Sequence, residues 1–274
     1  MSAVGAFAPG TVANVGPGLD ILGLALEGPG DTVRVARSAG SGVTIEDSGH
    51  PDIPLDAARN TAGIAASEVL ARAGAPRTGL AIRIVKGLPL SGGQGGSAAS
   101  AAAAAMAVNA LLGSPLTKVN LLDACLAAEE AVAGRHADNA AAALFGGVVL
   151  VRSLDPLDVV ALRFPEDLLV VLVRPDQHLR TEESRAALPR SVDRDVALAQ
   201  AANVGALVAA LEAGALGCSI SGAGPSVFAF AANEESGREI ADAIVAAYRG
   251  RGIAASARVS SIDARGARVL EASE

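Results

Sequence analysis

The sequence predicts an α+β protein in two subdomains, and three observations carry that expectation. Segments that alternate apolar and polar residues stand among segments with apolar residues at helical spacing, and both kinds occur in each half of the chain. A length of 274 residues with 51% apolar composition is enough for two modest cores. Three Gly-rich stretches stand among the strands and helices, and neither an internal repeat nor a low-complexity linker separates the halves.

Residues 3–9 and 31–37 read as strands, the second from the Val33/Val35 alternation. Between them runs a turn-rich stretch that becomes apolar. Asn60 to Ala73 has helical spacing, with Gly74 as its stop. Leu80 to Lys86 alternates and predicts a strand. A Gly-rich loop follows, then helices over about 97–112 and 121–132. After Asn139, AAAALFGGVVLVRS returns to strand character. The expected division falls between residues 1–154 and 155–274. The second part is expected to hold strands at 159–164 and 168–173, then helices near 181–188 and 196–213. Strands at 218–220 and 227–231, a helix over 234–249 and a final strand pair at 254–259 and 267–270 close it.

Composition narrows the function. The net charge is −7 and no basic cluster occurs, which argues against a nucleic-acid or acidic-membrane partner. Binding of a phosphate would need a local device such as a helix N-terminus. Aromatics are 2% and Trp is absent, so the core is built from Ala, Val, Leu and Ile. Cys125 and Cys218 lie in apolar, Ala-rich surroundings and read as buried thiols in a reducing compartment. No signal-peptide pattern opens the chain, and the Ala run from Ala98 to Leu112 is too short to span a bilayer. A cytoplasmic protein is expected.

The loop PLSGGQGGSAAS is the most informative stretch. Gly92, Gly93, Gly95 and Gly96 allow close approach of a ligand, and Ser97 opens an Ala-rich helix. Free amides and the positive end of a helix dipole make a phosphate site there. A flexible turn capped by Ser97 accounts for the same glycines equally well. The loop has no Lys-Ser/Thr after the glycines and is not a Walker loop.

Asn14 and Asp20 flank a Gly-Pro-Gly turn, an arrangement suited to a polar small molecule or simply to an Asx-stabilised turn. GCSISGAGPS (217–226) places a small-residue loop between two strands, where Ser221 to Gly224 can pack on the phosphate loop or form an ordinary turn. In AAEEAVAGRHADN, Glu129 is placed to ligate Mg²⁺ on a nucleotide. His136, Asp138 and Asn139 follow in a short turn, and a lone His is as readily a structural hydrogen-bonder. The three His residues lack zinc-ligand spacing.

Together APGTVANVGPGLDILGLAL, GLPLSGGQGGSAASAAAA and CSISGAGPS match, in order, the three signature motifs of the GHMP kinases. RHADN looks like the segment that marks the homoserine kinases among them. The resemblance runs from about Gly5 to Val259. It implies an N-terminal ribosomal-protein-S5-domain-2-like domain, a ferredoxin-like C-terminal domain, and MgATP-dependent phosphorylation of the side-chain hydroxyl of L-homoserine in threonine biosynthesis. By resemblance, Pro89, Gly92, Gly93, Gln94, Gly95, Gly96 and Ser97 wrap the ATP phosphates, Asn60 sits near the adenine, and Ser97 and Glu129 lie near Mg²⁺. Asn14, Asn139 and Arg185 are the implied catalytic residues, while Asp20, His136, Thr181 and Gly222 line the substrate pocket, and a homodimer is expected. Asp20 faces the homoserine ammonium and Arg185 its carboxylate.

Two departures stand out. The family loop GLGSSA reads GQGGSA here, so Gly96 replaces a Ser. The family also carries additional residues, with a second substrate-binding Arg, between the helix near 201–211 and CSISG. The loss of that Arg is expected to cost roughly 1.5–3 kcal/mol of substrate binding. An impaired or inactive nucleotide-binding relative, or a kinase of another small alcohol, remain as alternative readings.

Overall fold

The computed structural model describes residues 3–132, 134–176, 189, 191–212 and 217–270. The first sheet has seven strands. Its path runs β11 (Arg268–Val269), β1 (Ala3–Ala13), β2 (Leu22–Arg37), β4 (Gly79–Val85), β3 (Gly42–Asp47), and β5 (Val148–Leu154) pairs with β2 and with β6 (Leu157–Leu162). β3 and β4 are parallel, joined through α1 (Thr61–Arg72). Alternation fixes the buried face: Val33 and Val35 of β2 and Leu80, Ile82 and Ile84 of β4 all point inward.

One face of this sheet is covered by α1, α2 (Gly96–Leu111), α3 (Lys118–Val132) and α4 (Asp138–Phe145). α2 is buried nearly all round, with Ala98, Ala99, Ala101 to Ala105 and Ala107 all at 0% exposure. Ala is the strongest helix former, and its small side chain lets the sheet and three helices close on one axis.

The second sheet is antiparallel, in the order β10 (Ala255–Ser261), β7 (Leu169–Pro175), β9 (Val227–Ala231), β8 (Cys218–Ile220). Its alternate residues serve two cores. Val170, Leu172, Phe228 and Phe230 pack on Val12, Leu22, Leu24 and Leu26 of the first sheet. Val171, Val173, Ala229 and Ala231 face α6 (Glu234–Arg249). Val204 and Leu207 of α5 (Arg194–Glu212) pack against the first of these cores. A strand covered on both sides reads as a continuous apolar run, which is what LLVVLV is.

The differences from the sequence reading are local. AAAALF forms a helix, α4, before the strand begins, because Ala carries no β preference and this face packs on α2 and β2. β2 is one long strand from Leu22, and β3 had no reading. The final two strands do not pair with each other. β10 pairs with β7, whereas β11 returns to β1, held by Arg268 over the Phe7 ring at 4.6 Å and by its bond to Asp263. The chain passes to the second sheet only after β6. The helix expected near 181–188 lies outside the described residues.

Candidate active site

Three loops converge at the N-terminus of α2. Gly95 is its N-cap, at φ +65°, and no side chain caps the helix, so its first amides are open to a ligand. A Cβ on Gly95 would stand 1.9 Å from Thr11 Oγ1 and 2.8 Å from Asn139 Oδ1. The phosphate loop therefore closes directly onto the first motif and onto RHADN. Thr11, fully buried, donates its hydroxyl to Asn139 Oδ1 at 2.7 Å, and its amide donates to the Gln94 carbonyl. With Oδ1 engaged, Asn139 presents Nδ2, a donor, and an amide has no capacity to take a proton at this position.

The third loop seals the far side. A Cβ on Gly93 would meet the carbonyl oxygens of Ser221 and Gly224 at 2.7 and 2.8 Å. Ser221 Oγ donates to the Gly93 carbonyl and Ser226 Oγ to that of Gly92. Asn14 ties the remaining corner. Its Nδ2 donates to the Gly222 carbonyl, its Oδ1 accepts from the Asp20 amide, and the Gly222 amide donates to Ala13. Asn14, Val15 and Asp20 all have positive φ, a concentration of strain that the surrounding bonds hold in place.

Glu129 lies on α3 at 5% exposure. α3 packs against α2 in the helical layer over the first sheet. Burial, and then the Glu129 charge one turn away, push the Cys125 thiol well above its ordinary 9.0. A buried carboxylate on a helix packed against α2 suits a nucleotide-bound Mg²⁺, which takes few protein ligands and keeps phosphate oxygens.

Asn60 spends its side chain as the α1 cap, accepting from the Ala62 and Gly63 amides and donating to the Pro54 carbonyl. Pro89 and Gln94 line a cavity on the side of the loop that faces the second sheet. The His136 ring lies against Gly134, 2.6 Å from where a Cβ would stand. Thr181 and Arg185 lie outside the described residues.

Sequence reasoning missed the group beneath the loop. Asp31, fully buried, forms an ion pair with Lys86 and accepts from Ser100 Oγ at 2.6 Å and from the Gly87 and Leu88 amides. Lys86 Nζ also donates to the Gly96 carbonyl and to Ser100 Oγ, both at 3.1 Å. This network ties the two strands to the first turn of α2. The signal for it was parity: Asp31 shares the inward face with Val33, and Lys86 shares it with Ile84.

The profile of the GHMP kinases N terminal domain matches residues 60–147, and that of the GHMP kinases C terminal region matches residues 185–250. A homoserine kinase of Arabidopsis thaliana is 40% identical over 309 residues, covering 96% of this chain and 84% of the plant protein. One from Chlorobium phaeovibrioides is 38% identical over 322 residues, covering 98% of this chain and all of the relative. Both alignments are longer than the chain itself, in keeping with residues missing here relative to those proteins. The crystal structure of homoserine kinase from Cytophaga hutchinsonii superposes with a TM-score of 0.92 at 36% identity, covering 98% of each chain. The motifs, the two-sheet fold and these likenesses agree: the chain belongs to the homoserine kinase family of the GHMP kinases.

Proposed function

We propose that this protein transfers the γ-phosphoryl group of ATP to the side-chain hydroxyl of L-homoserine, giving O-phospho-L-homoserine. The observation that carries the reading is the Thr11–Asn139 bond locked under Gly95, which joins the phosphate loop to the residues expected to face the substrate. The amides of Gly95, Gly96 and Ser97 receive the phosphate oxygens, aided by the helix dipole. Glu129 and Ser97 would hold a Mg²⁺ ion, which would offset phosphate charge.

Asp20 faces the substrate ammonium, Arg185 its carboxylate, and His136 and Thr181 border the pocket. Asn14 acts by holding Asp20 and Gly222 in register across the two domains. Asn139 Nδ2 orients the acceptor hydroxyl or a phosphate oxygen. No general base is required of these residues, because a loose phosphoryl-transfer transition state asks chiefly for alignment and charge compensation. The hydroxyl proton leaves late, to the transferred phosphate or to solvent.

The test is ADP release with MgATP and L-homoserine, with mevalonate and L-threonine as controls. Homoserine-dependent turnover supports the assignment. ATP binding with no turnover on any of the three would refute it. Among the described residues no helix is long and apolar enough to cross a membrane. A homodimer is the expected assembly, measured by light scattering.

A further inference from the structure

We propose that the cavity behind the phosphate loop, between Arg174 on β7 and Arg258 on β10, binds a small organic anion bearing a phosphate or carboxylate. The cavity measures about 420 Å³ and lies where the second sheet meets the loop, bordered also by Lys86, Pro89, Gln94 and Ser256. That size falls among small-molecule pockets, commonly about 300–1,000 Å³, and exceeds the need of a bare inorganic ion.

The charge pattern calls for an anion. In the β7–β10 register Arg174 lies opposite Ser256, and Arg258 lies opposite Leu172. The two guanidinium stems thus project from the same face as diagonal neighbours, roughly 7–8 Å apart at the backbone. Among the described residues no Asp or Glu borders the cavity, and the nearby Asp31 is already paired with Lys86. Arg174 Nε and Arg258 Nη2 are buried and make no hydrogen bond, while Arg258 Nη1 donates to the Glu27 carbonyl at 3.2 Å.

Burial pulls the Arg258 pKa below its ordinary value, a sign of charge held away from water without compensation. A water molecule would satisfy the N–H groups but not the charge. A planar oxyanion satisfies both, and guanidinium is the side chain best matched to it. Two such groups in a chain of net charge −7 are a local arrangement and not part of a general basic field.

The site touches the loop from behind. Arg174 Nε lies 3.4 Å from where a Cβ on Gly92 would stand, and the Gln94 carbonyl accepts from the Thr11 amide on the opposite side. An occupant that draws Arg174 inward would shift the loop that is to hold the nucleotide phosphates, so anion and nucleotide affinities would change together. Only this coupling rests on the kinase reading; anion binding stands apart from it.

Isothermal titration tests the proposal on the full chain at low ionic strength, with saturating MgADP present so that the front of the loop is filled. The probes are glycerol 3-phosphate and malonate, with chloride as the ionic control. Saturable one-site binding of at least one probe is expected, and the preferred probe distinguishes phosphate from carboxylate chemistry. Arg174→Gln and Arg258→Gln are each expected to weaken it at least about tenfold. Ser256→Asp, which sets a carboxylate opposite Arg174, is expected to abolish binding, and it decides the matter if a Gln variant fails to fold.

Absence of saturable binding by either probe overturns the proposal, as does unaltered binding by folded variants. An unchanged MgADP affinity in the presence of the bound probe would overturn the coupling. Homoserine-dependent ADP release on the same preparations separates the two readings: its loss with anion binding intact counts against the kinase assignment alone.

Discussion

Gly95 and Gly96 are adjacent and chemically identical, yet the structure assigns them opposite tolerance. Gly95→Ala forces a side chain into the left-handed region at φ +65°, at a cost of about 1–2 kcal/mol. Its Cβ would stand 1.9 Å from Thr11 Oγ1, so Thr11 and Asn139 must separate. Loss of that bond and stranding of a buried hydroxyl add about 2–3 kcal/mol. The sum, about 3–5 kcal/mol, corresponds to a fall in Tm of roughly 10 °C for a chain of this size. Displacement of the loop and Asn139 by about 1 Å is expected to lower kcat/KM about a hundredfold. Gly96 opens α2, and a Cβ there meets nothing closer than Lys86 Nζ at 3.4 Å. Gly96→Ser therefore leaves Tm unchanged and lowers KM for ATP, since it restores a hydroxyl beside the phosphates. The assays are thermal unfolding and coupled ADP release on both variants. A Gly95→Ala enzyme within threefold of wild type, or a Gly96→Ser enzyme as impaired as Gly95→Ala, would refute the geometry.

The buried Asp31–Lys86 pair gives a second test: Lys86→Met strands a fully buried carboxylate and is expected to cost about 3–5 kcal/mol in urea unfolding, while the double change Asp31→Leu with Lys86→Met recovers part of it. Asn60→Ala removes the α1 cap and should lower stability by about 1 kcal/mol, read as a shift in the urea midpoint. Asn139→Ala is expected to lower kcat with little change in the ATP KM, whereas Glu129→Gln should raise the Mg²⁺ concentration needed for half-maximal rate; the reverse pattern would reassign both roles. Cys125 supplies a pH test. Its folded pKa is raised, so the unfolded thiol loses its proton first, and stability falls as pH rises above the ordinary value of 9.0. Cys125→Ala should remove up to about 1.4 kcal/mol per pH unit of that slope in unfolding titrations at pH 9–10.5.

The sequence determined a great deal alone. Apolar runs located β7 and β9, the Ala run after the glycine loop located α2, and the capping Asn233 marked the start of α6. Four short motifs in order identified the family, and their glycines marked the places where backbones must touch. Where local preference and environment disagreed, sequence reading gave way. AAAALF is helical because α2 and β2 cover it, and β11 leaves its sequence neighbour β10 for β1 because Arg268 finds Asp263 and the Phe7 ring there. Tertiary structure also decided what each polar residue does. Asn60 caps α1, and Thr11, inside the first motif but not singled out there, orients Asn139. Asp31 and Lys86 meet only because register sets their strands side by side with the same parity. Arg174 and Arg258 stand 84 positions apart in the sequence and share a cavity only because β10 returns antiparallel to β7. Pattern is a property of neighbours along the chain, whereas a site is made by residues that folding brings together from distant parts of it.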